Sequence, residues 1–155
     1  MNGEQMTRLN RINLICLGVR DLVRSRAFYR DGLGFDTPDN EENPEIVFFD
    51  CRGTKLELYG LQDLAEDINA TTPPQIADPQ VLFGGITLAY NAHSKDEVDE
   101  VFAKIEDIGG TIAKRPEVVS WGGYSGYFRD PDGYYWEVAY SDAWKFDENE
   151  MLIIE

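Results

Sequence analysis

The sequence predicts an α+β chain made of two copies of one β-α-β-β-β unit, and three observations predict it. Strand-like and helix-like runs recur in the same order in both halves of the 155 residues, and a proline-bearing stretch separates the halves. In each half a glutamate stands the same distance past a turn glycine: Glu57 lies four residues after Gly53, and Glu137 four after Gly133. Repeated order with repeated spacing is the signature of an internal duplication.

The first unit opens on Arg11 to Val19, a short β-branched, apolar run that reads as a strand with Ile15, Leu17 and Val19 on one face and Leu14 and Cys16 on the other. Asp21 suits the N-cap of a helix through Leu22, Phe28 and Tyr29, which Gly32 and Gly34 close. Ile46 to Phe49 and Lys55 to Tyr59 read as strands around a turn at 50–54; the second places Lys55, Glu57 and Tyr59 on one face. A short helical piece around Leu61 to Ile68 then runs into Thr71-Thr72-Pro73-Pro74, whose prolines suit neither a ladder nor a helix interior.

The pattern begins again with Gly85 to Tyr90, a strand, and with Ser94-Lys95-Asp96-Glu97, a capping box. Val98, Val101, Phe102, Ile105 and Ile108 recur at helical spacing until Gly109-Gly110 stops the helix. Thr111 and Ile112 open another short strand, and Trp121-Gly122-Gly123 bends the chain into the last hairpin, two aromatic-rich strands joined by Asp130-Pro131-Asp132-Gly133. Alternation along its second strand puts Tyr135, Glu137 and Ala139 on one face and Trp136, Val138 and Tyr140 on the other. The boundaries are thus a first module at 11–60, a linker at 61–83, a second module at 84–141 and a tail at 142–155. The tail's apolar Met151-Leu152-Ile153-Ile154 is expected to pair as a strand or to contact a second copy of the chain.

With 29 acidic against 14 basic residues and a formal charge of −15, the chain is a poor partner for nucleic acid or an anionic membrane. A neutral or cationic small molecule fits better. Cys16 and Cys51 are too few for a disulfide framework and lack metal-ligand spacing. No apolar run is long enough to span a bilayer, and the N-terminus lacks the hydrophobic segment of a signal peptide, so a cytoplasmic protein is expected.

Ile12-Asn13-Leu14-Ile15 through Gly18-Val19-Arg20-Asp21-Leu22, with Ser25, Phe28-Tyr29 and Leu33-Gly34-Phe35, resemble the first half of the vicinal oxygen chelate superfamily, which includes glyoxalase I, the extradiol dioxygenases and the bleomycin-resistance proteins. Gly109-Gly110-Thr111-Ile112, Trp121 to Phe128, Asp130-Pro131-Asp132-Gly133 and Trp136-Glu137-Val138 resemble its second half. The resemblance implies paired modules forming a cup-shaped mixed sheet with helices outside, commonly completed as a homodimer. It also implies metal ligands on the first and last strands of each module, most often histidine and glutamate. The last-strand places fall on Glu57 and Glu137, but the first-strand places fall on Leu14 and Gly85, which supply no donor.

Two carboxylates suit Mg²⁺, Mn²⁺ or Ca²⁺ with water better than zinc or iron, so no metal is favoured and a divalent ion is the alternative. The sole histidine, His93, reads as a solvated loop residue. The expected function is a glyoxalase- or bleomycin-resistance-like protein holding a cationic or aromatic small molecule in the cup. The expected site is Leu14, Cys16, Glu57, Tyr59, Thr87, Trp121, Tyr124, Tyr135 and Glu137. The alternatives are a divalent-metal lyase, isomerase or dioxygenase using Glu57 and Glu137, or a cofactor-free proton-transfer enzyme with Glu137 as general base.

Overall fold

A computed structural model describes residues 7–78 and 82–155. Residues 79–81 of the expected linker, and the first six of the N-terminal stretch, lie outside the described residues. Strand β1 (Leu14–Val19) leads into helix α1 (Leu22–Ala27), where the Asp21 carboxylate accepts the backbone N–H of Arg24 at 3.0 Å as the expected cap. A π-helical turn, Phe28–Gly32, continues the helix and places two successive aromatic residues, Phe28 and Tyr29, in the interior. The wider π turn aims both inward, where an α-helix would point neighbours about 100° apart.

Strands β2 (Ile46–Phe49) and β3 (Lys55–Gly60) complete a three-stranded sheet of order β1-β3-β2, with β1 parallel and β2 antiparallel to β3. Residues 33–45 form no strand, so the first module has three strands where the second has four. Helix α2 (Leu61–Ile68) follows β3 directly, and its Leu61 and Leu64 close over Gly18 at the end of β1.

The second module comprises β4 (Thr87–Ala92), α3 (Lys95–Lys104), β5 (Thr111–Val118), β6 (Tyr124–Arg129) and β7 (Tyr135–Tyr140), in sheet order β4-β7-β6-β5. Two expectations shift here. The strand expected at Gly85 to Tyr90 begins two residues later, because Gly85 takes a left-handed backbone (φ +85°) that no strand residue adopts. The short strand at Thr111 extends to Val118 on the sheet edge, with register breaks after Ile112 and Lys114 that accommodate Pro116. Ser94 caps α3 by accepting from Glu97 N–H at 3.0 Å. The Glu97 carboxylate accepts the N–H of His93 at 2.9 Å and the hydroxyl of Tyr90, so the box closes one residue earlier than the motif implies.

The architecture is α+β, with two open, cup-like sheets and no closed barrel. On each sheet α1 or α3 packs on the face opposite the glutamates, and both helices enter one interior. Leu17, Val47, Phe49, Leu56 and Leu58 of the first sheet join Leu88, Phe128, Trp136 and Val138 of the second in a single buried cluster. Tyr29 lies at its centre, with ring centroids 5.9 Å from Phe49 and 6.1 Å from Trp136.

The DPDG turn pins the modules together. Asp132, 1% exposed, accepts from Ser25 Oγ at 2.9 Å and from the backbone N–H of Arg20 at 2.9 Å, with Arg24 Nη2 at 3.5 Å. Asp130, 3% exposed, accepts from the Tyr29 hydroxyl. Beyond forming the turn, these two aspartates bond across the module junction. Charged side chains are buried only when partnered, so they clasp α1 of the first module to the last hairpin of the second.

Candidate functional site

Glu57 and Glu137 occupy the same place in their modules. Glu57 pairs in register with Cys16 on the parallel first strand and with Phe48 on the antiparallel neighbour; Glu137 pairs with Ala89 and Tyr127 in the same way. Both project from the face opposite the shared core, because their neighbours Leu56, Leu58, Trp136 and Val138 are buried in it. The duplication inferred from turn-to-glutamate spacing is therefore a duplication of register.

On the first sheet this face carries Leu14, Cys16, Glu57 and Tyr59, with Lys55 and Phe48 beside them; Leu14 and Phe48 are 45% and 47% exposed. The Cys16 thiol stands in register with Glu57, and its pKa is pushed up to about 12 by burial first and by the Glu57 carboxylate second. Tyr59 is raised by desolvation and by Asp67, Asp63 and Glu45. It opens on a hollow of about 390 Å³ lined by those three acids and Glu66, with no basic residue in the wall. Lys55, the nearby cation, is engaged by Asp50 at 2.7 Å.

On the second sheet the face carries Thr87, Ala89, Tyr127, Tyr135 and Glu137. Tyr127 stands in register with Glu137, and burial, followed by the carboxylate's charge, raises its pKa. The Arg129 guanidinium lies over the Tyr135 ring, 5.3 Å from its centroid, and Phe83 meets the same ring edge-on at 5.6 Å.

Tyr124 is not brought to this face. It shares the helix side of β6 with Phe128, its hydroxyl donates to Asp99 Oδ1 at 2.6 Å, and Lys95 stands over its ring. Trp121 stacks on Trp144 of the tail with centroids 5.7 Å apart. His93 is no free loop residue: its Nε2 meets Glu150 Oε2 at 2.5 Å and its ring packs on Phe146 at 4.3 Å. Its partners Phe146 and Glu150 lie within the last ten residues, and no local pattern around His93 points to them.

The histidine-and-glutamate metal site implied by the fold does not fit these residues. The register equivalent of Leu14 in the second module is Thr87, since these residues pair with Lys55 and Tyr135, each two before its glutamate; Gly85 lies outside the strand. Leu14 offers no donor and Thr87 only a neutral hydroxyl, and Cys16 is a single thiol with no histidine or second cysteine in register beside it. Among the described residues no group of three or more histidine, cysteine, aspartate or glutamate side chains is placed to hold a metal ion. No described helix is long and apolar enough to cross a membrane.

Comparison with known proteins agrees with this fold. The family model described as Glyoxalase/Bleomycin resistance protein/Dioxygenase superfamily matches residues 11–138. A glyoxalase-related enzyme from Fulvimarina pelagi superposes with a TM-score of 0.82 at 29% identity, covering 94% of this chain and 99% of that one. A lactoylglutathione lyase from Agrobacterium tumefaciens superposes with a TM-score of 0.65 at 28% identity, over 90% of this chain and 100% of its own. The uncharacterized protein YraH of Bacillus subtilis is 28% identical over 119 residues, 76% of this chain and 88% of its own.

Proposed function

We propose that this chain, which belongs to the Glyoxalase/Bleomycin resistance protein/Dioxygenase superfamily, binds a small cationic or aromatic molecule on the Glu57 and Glu137 faces of its sheets without the family's histidine–glutamate metal site. The observation that carries this reading is the register equivalence of the two glutamates without the family's histidines beside them: the first-strand residues are Cys16 and Ala89 directly opposite, and Leu14 and Thr87 one pleat away. A carboxylate freed from metal binding is an anchor for an ammonium or guanidinium group, and Tyr59, Tyr135 and Phe48 offer flat apolar surface beside it. The acid-lined hollow at Tyr59 supports the same charge preference.

The exposed Leu14 and Phe48 favour a homodimer in which a second copy shelters the first-sheet face. The two free cysteines fit the reducing cytoplasm.

A second reading rests on Tyr127 standing in register with Glu137. With its neighbouring hydroxyl as proton donor, Glu137 would serve as general base in a cofactor-free proton transfer.

The deciding experiment is metal analysis of protein purified without chelator, beside thermal-shift titration with a cationic aromatic probe such as benzamidine. The reading expects background metal and a melting temperature raised by the probe in the natural protein but not in Glu57→Ala. Near-stoichiometric Mg²⁺, Mn²⁺ or Ca²⁺ lost from both Glu57→Ala and Glu137→Ala would replace it with the divalent-metal lyase, isomerase or dioxygenase reading.

A further inference from the structure

The clasp formed by Asp132 on Ser25 and Arg20 has no counterpart across the duplication. The equivalent turn, Asp50-Cys51-Arg52-Gly53, carries Arg52 where the second module has Asp132, and α3 presents Val98 where α1 has Ser25. In place of a clasp there is a cavity of about 620 Å³, floored by Ile15, Leu56, Leu88 and Trp136, with Arg52 and His93 in its wall.

The C-terminal hairpin roofs it. Phe146 pairs with Leu152, and the turn between them holds Glu150 at φ +64°, the one described non-glycine residue in the left-handed region. Glycine or asparagine would take that conformation at lower cost. What glutamate adds is its carboxylate, which meets His93 Nε2 at 2.5 Å and Arg52 Nη1 at 3.8 Å while Met151 next to it rests on Gly53. The roof thus sets a carboxylate followed by an apolar side chain on two basic groups above an apolar floor, in a chain of net charge −15.

We propose that this inter-module cavity is a second binding site, for a small molecule with an apolar body and one carboxylate. The ligand's carboxylate would take the place that Glu150 holds on Arg52 and His93, and its body would lie on Trp136 and Leu56. Glu150 is then the built-in competitor, and the hairpin opens to admit the ligand. Lys55 and Ala89 of the glutamate-bearing faces also line this cavity but Glu57 and Glu137 do not, so the proposal stands or falls independently of the function proposed for those two glutamates.

The test is calorimetric titration of the full chain with 4-phenylbutyrate and with its uncharged amide, in the natural protein and in Arg52→Ala, Glu150→Gln and Glu57→Ala. Arg52 is 68% exposed, so its removal leaves the fold intact, which the melting temperature checks. The expected result is saturable binding of the acid, about tenfold weaker binding by the amide and by Arg52→Ala, about threefold tighter binding by Glu150→Gln, and no change in Glu57→Ala. No saturation in either the natural protein or Glu150→Gln up to about 10 mM acid would overturn the proposal. So would binding indifferent to Arg52, or binding lost in Glu57→Ala and kept in Arg52→Ala.

Discussion

The Tyr29 hydroxyl donates to Asp130 Oδ2 at 2.6 Å, and the tyrosine oxygen in turn accepts the Trp136 indole N–H at 3.1 Å. Tyr29 belongs to the first module and its two partners to the second, and Tyr29 itself is fully buried, so one hydroxyl satisfies both polar groups at the module junction. Desolvation, with Asp130 second, raises the tyrosine's own pKa far above its ordinary value, which keeps it a donor throughout the working range.

Replacing Tyr29 with phenylalanine removes that donor and leaves the indole N–H without an acceptor while conserving volume. The cost should be about 2–4 kcal/mol, that of two buried polar groups each losing a partner. Urea denaturation should show a lower midpoint with an unchanged slope. A loss below about 0.5 kcal/mol would mean that the junction is held by apolar packing alone.

Asp130 makes the junction pH-sensitive in a direction opposite to the usual aspartate. Burial lifts its pKa from 3.8 to about 6 despite the bonds from Tyr29 and from the backbone N–H groups of Tyr134 and Asp132. The folded state therefore holds the proton longer than the unfolded chain does. This group's favourable contribution is complete below pH 3.8 and is lost as pH rises through about 6. The difference in unfolding free energy between the natural protein and Asp130→Asn should change by on the order of 2–3 kcal/mol between those limits, in favour of the variant as pH rises. A pH-independent difference would refute the assignment.

Much of this architecture was legible in the sequence, and particular residues show why. Val98, Phe102 and Ile105 declare a helix by spacing, and Tyr135 to Tyr140 declare which side of a strand Glu137 takes, because periods of 3.6 and 2 are local properties. Gly85 fits an apolar run as composition, but its φ is set by the chain entering the sheet, so β4 starts at Thr87. Tyr124 lies three residues from Tyr127, the in-register partner of Glu137, so alternation along β6 turns it to the opposite face, a relation fixed by the cross-strand register. The Asp132 clasp and the His93–Glu150 contact lie 107 and 57 residues apart in sequence, so no local pattern encodes them.

The pairing of Cys16 with Glu57 predicts a dull thiol. With its pKa at about 12, Cys16 should carry little thiolate at pH 8 and react slowly with iodoacetamide. Glu57→Gln removes the charge that contributes second to that shift, so alkylation at Cys16, followed by peptide mass spectrometry, should speed up severalfold. Burial, the larger cause, remains, so the variant should stay slower than an exposed cysteine. An unchanged rate would place the Glu57 carboxylate away from the thiol.

Gly53 tests the seating of the tail. Its φ of +71° already disfavours any side chain, and an added Cβ would stand 2.4 Å from Met151 Sδ. Gly53→Ala should therefore combine a backbone cost of about 1 kcal/mol with a steric one from displacing Met151. Met151→Ala alone loses the thioether's packing and relieves no clash. The double variant Gly53→Ala/Met151→Ala should be more stable than the sum of the single losses implies, because the methyl then occupies space the methionine has vacated. The coupling energy from the four-member cycle should be about 0.5–2 kcal/mol in that direction. Strict additivity would show that the tail does not rest on the Gly53 turn in solution, and the roof over the inter-module cavity would go with it.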